Sequence, residues 1–463
     1  MRKSKVISAG IGYLICNIAI RGLSVLTAPL FNRLLSQADI GDYANIASWV
    51  SIISVLVTME LSSSIFNARL DFNEETLSEH ISTMLLFGNA ITLVLFACCC
   101  VFIDQIEVLL SIKREYIYLI FLYLLFYPAI SIFTARAQAF LEYKSTIVIS
   151  AVVSISTVVL SLILVWILPN RLDGRVWGGY VPPIIIGLAL YVAFLKRKLT
   201  FKIKYIKYAC PISIPLMFHL LAGSLLSSSD RIMITEICGN VETALYNVAN
   251  SLPALVMLVW SSANNAFAPW CFDRFHEGSF DKVKRPAILL LGGFGLLMMI
   301  VSLLAPEVLL ILGGTAYSSA CYVVAPVLCG NLACAAYTFY VNVEQYYKKS
   351  SYTATATMIA AVLNIGLNYA LLPKYGYVIA AYTTWAGFLA MLIMHYFVTR
   401  IILKKNIYHN KAIFVVVLVF SIGIMITQLL YNYYIIRYVL VGCIAIIGML
   451  LLKKIMKKIK NSD

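Results

Sequence analysis

Charged residues are scarce in this sequence of 463 residues. They make up 12% of the chain, whereas hydrophobic residues make up 61%, and the mean hydropathy is +0.88. Soluble domains carry about 25% charged residues, so this composition excludes an ordinary soluble fold. It predicts a protein whose helices are surrounded by lipid.

Long polar segments are missing as well. Fourteen apolar stretches follow one another with short polar breaks, and each is close to the roughly 20 residues that cross a bilayer as a helix. No break is long enough for a soluble domain on either side of the membrane. We therefore expect an all-α membrane protein with about 14 transmembrane helices. The predicted spans are residues 8–31, 43–65, 81–103, 116–138, 146–168, 176–195, 212–235, 243–266, 286–304, 317–341, 351–372, 377–399, 411–430 and 434–452.

Several signatures of catalytic and cofactor-binding proteins do not occur. There is no GxxxxGK[ST] loop, which argues against ATP as the energy source. The 11 cysteines form no CxxC pair and show no metal-ligand spacing with histidine, and most lie within spans as small apolar packing residues. We expect no catalytic residue, no metal and no cofactor, and no enzyme activity. The first span lacks a small-residue cleavage site, which predicts a permanent helix instead of a removable signal.

The distribution of Lys and Arg predicts the orientation in the membrane. With the amino terminus inside, 27 of the 36 Lys and Arg residues fall in cytoplasmic segments and 7 in outer loops. Cytoplasmic loops carry the excess of such residues, so both termini are expected to be cytoplasmic. Attraction of basic segments to the anionic headgroups of the inner leaflet explains most of the net charge of +15. No nucleic acid partner is therefore expected.

The chain is similar to itself at an offset of 204 residues, at which Lys144 aligns with Lys348. This offset predicts two six-helix bundles, residues 1–204 and 205–408, followed by two additional helices and a basic cytoplasmic tail in residues 409–463. Because six is even, both bundles would enter the membrane in the same sense, as parallel repeats of transporters do. A cavity is expected between them, opening alternately to the two sides.

Polar residues recur at helical spacing within several apolar spans. In the eighth span, for example, Asn247, Asn250 and Asn264 share one face. Such a stripe predicts the wall of a hydrophilic cavity. The alternative is that these side chains join neighbouring helices by hydrogen bonds. The predicted substrate-binding or cavity-lining residues are Asn17, Arg21, Ser24, Arg231, Asn247, Asn250, Asn264, Asn364 and Asn368.

Arg21 is the strongest single signal among them. It lies about 13 residues into the first span, too deep to reach either surface easily. A charge at that depth costs about 2.5–3.5 kcal/mol on insertion scales. Arg21 therefore either faces a wet cavity and an anionic ligand or is a structural arginine paired with a helix terminus or a carboxylate.

The segment SSSDRIMITE places Asp230 beside Arg231 in the seventh span. Adjacent residues on a helix do not face each other, so the two are not expected to pair. His219 precedes Asp230 by three turns and lies on the same face. We interpret Asp230 and His219 as ion-coupling candidates and Arg231 as an anion ligand. The alternative for Arg231 is that it extends to the membrane interface.

Charges at the cytoplasmic ends of spans have a simpler interpretation. Glu60, Arg136, Glu344 and His395 are expected to be interfacial anchors. The segment KRKLTFKIKYIKY, residues 196–208, alternates basic and apolar residues and predicts an amphipathic linker bound to lipid headgroups.

Three consecutive segments carry a family resemblance. They are IPLMFHLLAGSLLSSSDRIMI, TALYNVANSLPAL and NNAFAPWCF. They resemble the polysaccharide flippases of the multidrug/oligosaccharidyl-lipid/polysaccharide exporter superfamily, specifically O-antigen flippases of the Wzx type. IGDYANIASWVSII near the start and LNIGLNYALLPKYGYVIAAYTT near the end fit the same pattern, so the likeness covers nearly the whole chain.

The resemblance implies a flippase in the bacterial cell inner (cytoplasmic) membrane. Its substrate would be an undecaprenyl-diphosphate-linked oligosaccharide of O-antigen or a similar surface polysaccharide, moved from the inner to the outer leaflet by alternating access. Implied partners are this lipid-linked oligosaccharide, membrane lipids, a polysaccharide polymerase and a chain-length regulator. A diphosphate cannot cross hydrocarbon unaided, because desolvating an ion there costs tens of kcal/mol.

Three competing functions remain at this stage. An ion-coupled multidrug or small-molecule antiporter of the same superfamily should favour buried carboxylates for organic cations, whereas this chain has few acids in mid-span. A membrane enzyme acting on lipid-linked sugars needs a larger outer loop or a surface acid/base pair. A scaffold in a polysaccharide assembly complex needs no polar stripe through the bilayer.

Overall fold

The computed structural model describes residues 27–140 and 142–460. Within these residues all regular elements are helices and there is no strand. The helices are α1 (residues 27–34), α2 (Gln37–Thr58), α3 (Ile65–Asp71), α4 (Glu74–Val101), α5 (Ile103–Leu110), α6 (Arg114–Ala139), α7 (Tyr143–Ile167), α8 (Arg171–Arg197), α9 (Ile203–Ile237), α10 (Asn240–His276), α11 (Asp281–Leu303), α12 (Ala305–Gly313), α13 (Cys321–Tyr346), α14 (Ser350–Tyr375), α15 (Ile379–Phe397), α16 (Asn410–Thr427) and α17 (Tyr434–Lys460).

The described residues confirm the prediction of an all-α membrane protein. Twelve of their helices are long and apolar enough to cross a membrane. These coincide with the second to thirteenth predicted spans, from Gln37–Thr58 to Asn410–Leu430. Most of the first predicted span, residues 8–31, lies outside the described part of the chain. The fourteenth begins at Tyr434 as predicted, and its described part contains the shorter apolar helix Tyr434–Ile446.

The chain forms two compact units, Met1–Ala244 and Leu245–Asp463. We call them the N-terminal unit and the C-terminal unit. The repeat-based bundles, with boundaries at residues 204 and 408, stay a prediction.

A close contact between α7 and α8 organises the N-terminal unit. Gly174 and Gly178 lie one turn apart on α8 and face α7. A Cβ atom at Gly174 would lie 2.5 Å from the backbone of Leu164, and one at Gly178 would lie 2.3 Å from Cα of Ser161. Small residues at this spacing let helix backbones approach closely in a membrane, where dispersion contacts drive helix association. The two glycines therefore permit α8 to dock on α7.

The α2 helix ends in an irregular turn. Met59 and Glu60 have φ values of 44° and 50°, in the left-handed region that side chains rarely adopt. A 3₁₀ segment, Leu61–Ser64, then leads into α3. Ser63 Oγ in this segment lies 3.3 Å from Ser213 Oγ of α9, so the turn is held by contacts with another helix of the same unit.

The connection between α8 and α9 packs against α4. Lys198 Nζ donates a hydrogen bond to Glu75 at 2.7 Å, which raises the pKa of this lysine. Lys202 Nζ donates to both carboxylate oxygens of Glu79 at 2.7 Å. The segment at residues 196–208 thus has ionic partners on α4, and its predicted contact with lipid headgroups stays a prediction.

In the C-terminal unit α10 and α13 are joined by three hydrogen bonds, which we call the polar ladder. The pairs are Asn331 Nδ2 to the Pro253 carbonyl at 3.0 Å, Trp260 Nε1 to Thr338 Oγ1 at 3.2 Å, and Asn342 Nδ2 to Asn264 Oδ1 at 3.0 Å. The two partners are 78 residues apart in every pair. A constant sequence difference means that the two helices run parallel and in fixed register.

An ion pair fastens α17 to α12. Arg437 is 3% exposed and donates two hydrogen bonds of 2.6 Å to the carboxylate of Glu307, and a third of 2.6 Å to the Leu303 carbonyl. Burial alone would raise the pKa of Glu307, but the hydrogen bonds from Arg437 hold it below its usual range. Arg437 is therefore a structural residue of the C-terminal unit.

The glycine contact predicts a stability effect. Gly178→Ala adds a Cβ atom where the backbone of α7 leaves no room, so we expect a loss of about 1–3 kcal/mol. Thermal unfolding in detergent measures it. Gly223→Ala on α9 is the matched control, because no atom lies within 4 Å of a Cβ there, and we expect that variant to unfold at or above the wild-type temperature. Equal unfolding temperatures for the two variants would contradict the proposed contact.

The Arg437–Glu307 pair predicts a pH-dependent contribution to stability. Because the pKa of Glu307 is lowered in the folded protein, the contribution is complete above the usual glutamate range and is lost as the pH falls through the lowered value. We expect Arg437→Gln to unfold at a lower temperature than wild type near neutral pH. The difference should shrink at acidic pH, and a difference that does not change with pH counts against the ion pair. Arg33→Gln, at an exposed arginine, is the control.

Candidate functional site

Three of the predicted cavity residues cannot be placed. Asn17, Arg21 and Ser24 lie outside the described residues. Their predicted role at a cationic cavity wall stays a prediction from the sequence.

The ion-coupling candidates all lie on α9. Asp230 is 3% exposed, whereas His219 and Arg231 are half-buried. Arg231 donates a hydrogen bond of 2.7 Å to the carbonyl of Ser227, one turn earlier on the same helix. The Nδ1 atom of His219 is buried and has no hydrogen-bond partner among the described residues. Ion coupling by Asp230 and His219, and anion binding by Arg231, stay predictions from the sequence.

The predicted asparagine stripe on α10 divides into two parts. Asn247 and Asn250 are half-buried. Asn264 accepts the hydrogen bond from Asn342 and so belongs to the polar ladder with α13. For Asn264 the structure therefore shows the alternative interpretation, a hydrogen bond between helices.

Asn364 and Asn368 on α14 are both 0% exposed. Asn364 donates to Thr384 at 3.1 Å, and Thr383 donates to Asn368 at 2.5 Å, so both asparagines bind α15. These residues join two helices and present no surface to a cavity in this structure. The spacing of Asn364 and Asn368 indicated a polar face but not what that face contacts.

Among the described residues, one ionisable pair on α13 and α15 is fully buried. Glu344 and His395 are both 0% exposed, so the prediction that they are interfacial anchors is wrong. His395 Nδ1 lies 2.7 Å from Glu344 Oε1, and Thr353 donates to Glu344 Oε2 at 2.9 Å. The ring of Tyr337 stacks on His395 with centroids 5.3 Å apart. This cluster joins α13, α14 and α15 within the C-terminal unit.

The chemistry of this cluster follows from its burial. A lone charge in such a place is costly, so the pair is stable when Glu344 and His395 together are neutral, either as an ion pair or as two uncharged groups. The Nε2 atom of His395 is buried and has no hydrogen-bond partner within the described chain. Glu344 and His395 are 51 residues apart in sequence, so no local spacing predicts the contact.

The described residues offer no metal site of the usual kind. Among them, no group of three or more His, Cys, Asp or Glu side chains is arranged to hold a metal ion. Their cysteines are free thiols.

A model of a known protein family matches more than half of this chain. Residues 7–275 match the model of the polysaccharide biosynthesis protein family. Among curated proteins none matches this sequence.

Solved structures of transporters share the fold. A lipid II flippase, MurJ, in an inward closed conformation is similar with a TM-score of 0.71 at 14% identity, covering 97% of this chain and 99% of that one. An inward-facing multidrug resistance MATE transporter of the MOP superfamily has a TM-score of 0.67 at 13% identity, covering 84% and 98%. A MOP superfamily transporter from Pyrococcus furiosus has a TM-score of 0.54 at 13% identity, covering 92% and 96%. At such identities the likeness shows that this chain shares the fold of these transporters, and nothing further.

The buried pair predicts strong coupling between its two members. Glu344→Ala leaves His395 without its partner, and we expect a loss of about 3–5 kcal/mol. Glu344→Ala/His395→Ala should lose less than the sum of the two single variants, which thermal unfolding of all three measures. Thr353→Val, which removes a single hydrogen bond, is the control and should cost about 1 kcal/mol. Additive losses would show that the contact between Glu344 and His395 contributes nothing.

Proposed function

We propose that this chain, which belongs to the polysaccharide biosynthesis protein family, is a flippase for lipid-linked oligosaccharides. The observation that carries the proposal is the family match over residues 7–275, more than half of the chain, on a fold shared with a lipid II flippase. A phosphorylated sugar lipid needs such a protein, because its charged headgroup cannot enter hydrocarbon without a large loss of hydration.

The finer features of the proposal come from the sequence. The substrate we propose is an undecaprenyl-diphosphate-linked unit of O-antigen or a similar polysaccharide. The excess of Lys and Arg on one side supports a cytoplasmic location of both termini in a bacterial inner membrane. A polysaccharide polymerase and a chain-length regulator are the partners that this role would need.

The transport mechanism is alternating access between two six-helix bundles, residues 1–204 and 205–408. Arg21 and the asparagines at 17, 247 and 250 would line the route of the headgroup. Asp230 and His219 are the candidates for coupling to an ion gradient. Rocking of one bundle against the other would expose the route to each side in turn.

The alternative is an ion-coupled multidrug antiporter, which the fold of MATE transporters also supports. An organic cation needs an available negative charge. Glu344, the fully buried carboxylate of the C-terminal unit, is already bonded to His395 and Thr353. Glu344 is therefore not available to an organic cation, which argues against a cation site in the C-terminal unit.

Arg21 provides the test. In proteoliposomes, or by complementation of a flippase-deficient strain, we expect wild type to move lipid-linked oligosaccharide and Arg21→Ala to lose most of that activity, because the anionic headgroup loses its partner. Arg21→Lys keeps the charge and should retain part of it. Surface glycan and the accumulation of inner-leaflet substrate are the readouts.

The control for this test is Arg33→Ala, which removes an exposed arginine from a predicted outer loop. This variant should transport normally. Robust efflux of a cationic dye that Arg21→Ala leaves unchanged would refute the flippase and support the antiporter.

A further inference from the structure

One end of the N-terminal unit contains a cavity of about 290 Å³. Arginines from three helices line it: Arg69 on α3, Arg136 on α6 and Arg197 on α8. The cavity lies at the ends of three helices, since α4 begins there and α6 and α8 end there. The Lys and Arg distribution assigns this end of the helices to the cytoplasmic side. We call it the arginine pocket.

The charge of the arginine pocket is positive. One carboxylate, Glu74, lines it together with the three guanidinium groups. A second, Glu142, lies 3.6 Å from Arg136, and 43% of its side chain is exposed to solvent. Even with both carboxylates counted, positive charge remains in excess.

Two of the guanidinium groups are held in place by the same aromatic ring. Arg69 lies 5.3 Å and Arg136 lies 5.2 Å from the centroid of the Phe140 ring. Arg69 also donates a hydrogen bond to the carbonyl of Ala139. Two like charges fixed on one ring repel each other, and an anion between them would relieve that repulsion. Each guanidinium has five N–H donors, so donors remain for a ligand after these contacts.

The shape and lining indicate which anion fits. Planar guanidinium groups bind phosphate oxygens in bidentate fashion. Phe72, Phe140 and Phe194 give the same pocket an apolar side, which suits a group attached to a hydrocarbon chain. Small-molecule pockets have volumes of about 300–1,000 Å³. The arginine pocket lies at the lower limit and has room for a phosphate or diphosphate with its first attached groups, but not for a whole oligosaccharide.

We propose that the arginine pocket binds the phosphate group of a membrane lipid from the leaflet that it faces. Two sources share this chemistry. One is the diphosphate of a lipid-linked sugar, and this version rests on the proposed function. The other is the headgroup of an anionic phospholipid, bound as a structural lipid. In either case Arg69, Arg136 and Arg197 are the ligands.

Binding to the purified full-length protein tests this proposal. The probes are an isoprenyl diphosphate, phosphatidylglycerol and, as a phosphate-free control, the isoprenyl alcohol, each followed by native mass spectrometry or by quenching of protein fluorescence. We expect the phosphorylated probes to bind and the alcohol to bind weakly or not at all. Each Arg→Gln substitution should weaken binding about tenfold, since a charged hydrogen bond is lost.

The variants separate binding from folding. Arg136→Gln removes a contact to Glu142 and could lower stability, so Arg197→Gln, at an exposed side chain, is the primary variant. Arg136→Lys keeps the charge without the planar fork and should bind with intermediate affinity. Arg33→Gln, at an exposed arginine outside the pocket, is the matched control and should bind as wild type does.

The two phosphorylated probes distinguish the sources. Binding of isoprenyl diphosphate that phosphatidylglycerol does not displace supports the transported lipid as the source. If each probe displaces the other equally well, the result supports a structural phospholipid as the source. Undiminished binding of both probes to Arg197→Gln and to the triple variant Arg69→Gln/Arg136→Gln/Arg197→Gln overturns the proposal. A flipping assay tests the proposed function separately. If the wild-type protein binds the phosphorylated probes but does not flip lipid-linked oligosaccharide, the proposed function is refuted and the proposed phosphate site is not.

Discussion

The absence of water from the bilayer core constrains the polar side chains within the membrane-spanning helices. A donor or acceptor that cannot reach water needs a partner within the protein, on its own helix or on another. Glu344 and His395 meet this requirement with each other, and Asn364 and Asn368 meet it with threonines of α15. The polar ladder does the same between α10 and α13, where its constant register also fixes how the helices align. Polar residues therefore determine how the C-terminal unit is assembled.

The same constraint explains what the sequence predicts well. Lipid selects for runs of about 20 apolar residues, and twelve of the fourteen predicted spans have such helices among the described residues. The close contact between α7 and α8 was not predicted, although its signal is visible in the sequence. Gly174 and Gly178 are four residues apart on α8, a spacing that favours close helix packing, but only the structure shows that α7 is the partner.

Helical spacing could not decide the role of the polar stripes. A face that lines a cavity and a face that binds a neighbouring helix have the same period, because both are set by the helix itself. Asn264 and the α14 asparagines lie on helix contacts, whereas Asn247 and Asn250 stay half-buried. Contacts between positions that are distant in the sequence could not be predicted either. The arginines of the arginine pocket come from three helices, and each one alone resembles an ordinary interfacial residue.

The location of the arginine pocket has a consequence for transport. A site that captures a phosphate group must release it again, so very tight binding would hold the substrate at the surface. Guanidinium groups at the end of a helical bundle remain accessible to water, which weakens each contact compared with the same contact in hydrocarbon. Arg197 is exposed, and the positive charge of Arg136 is partly compensated by the carboxylate of Glu142. Water can therefore replace a phosphate bound to either arginine. Arg21, predicted to line a cavity deep within a span, would be surrounded by hydrocarbon that lowers the local dielectric constant, so it would bind the same group more strongly. A phosphorylated lipid could thus pass from a weaker site at the membrane surface to a stronger one within the bilayer.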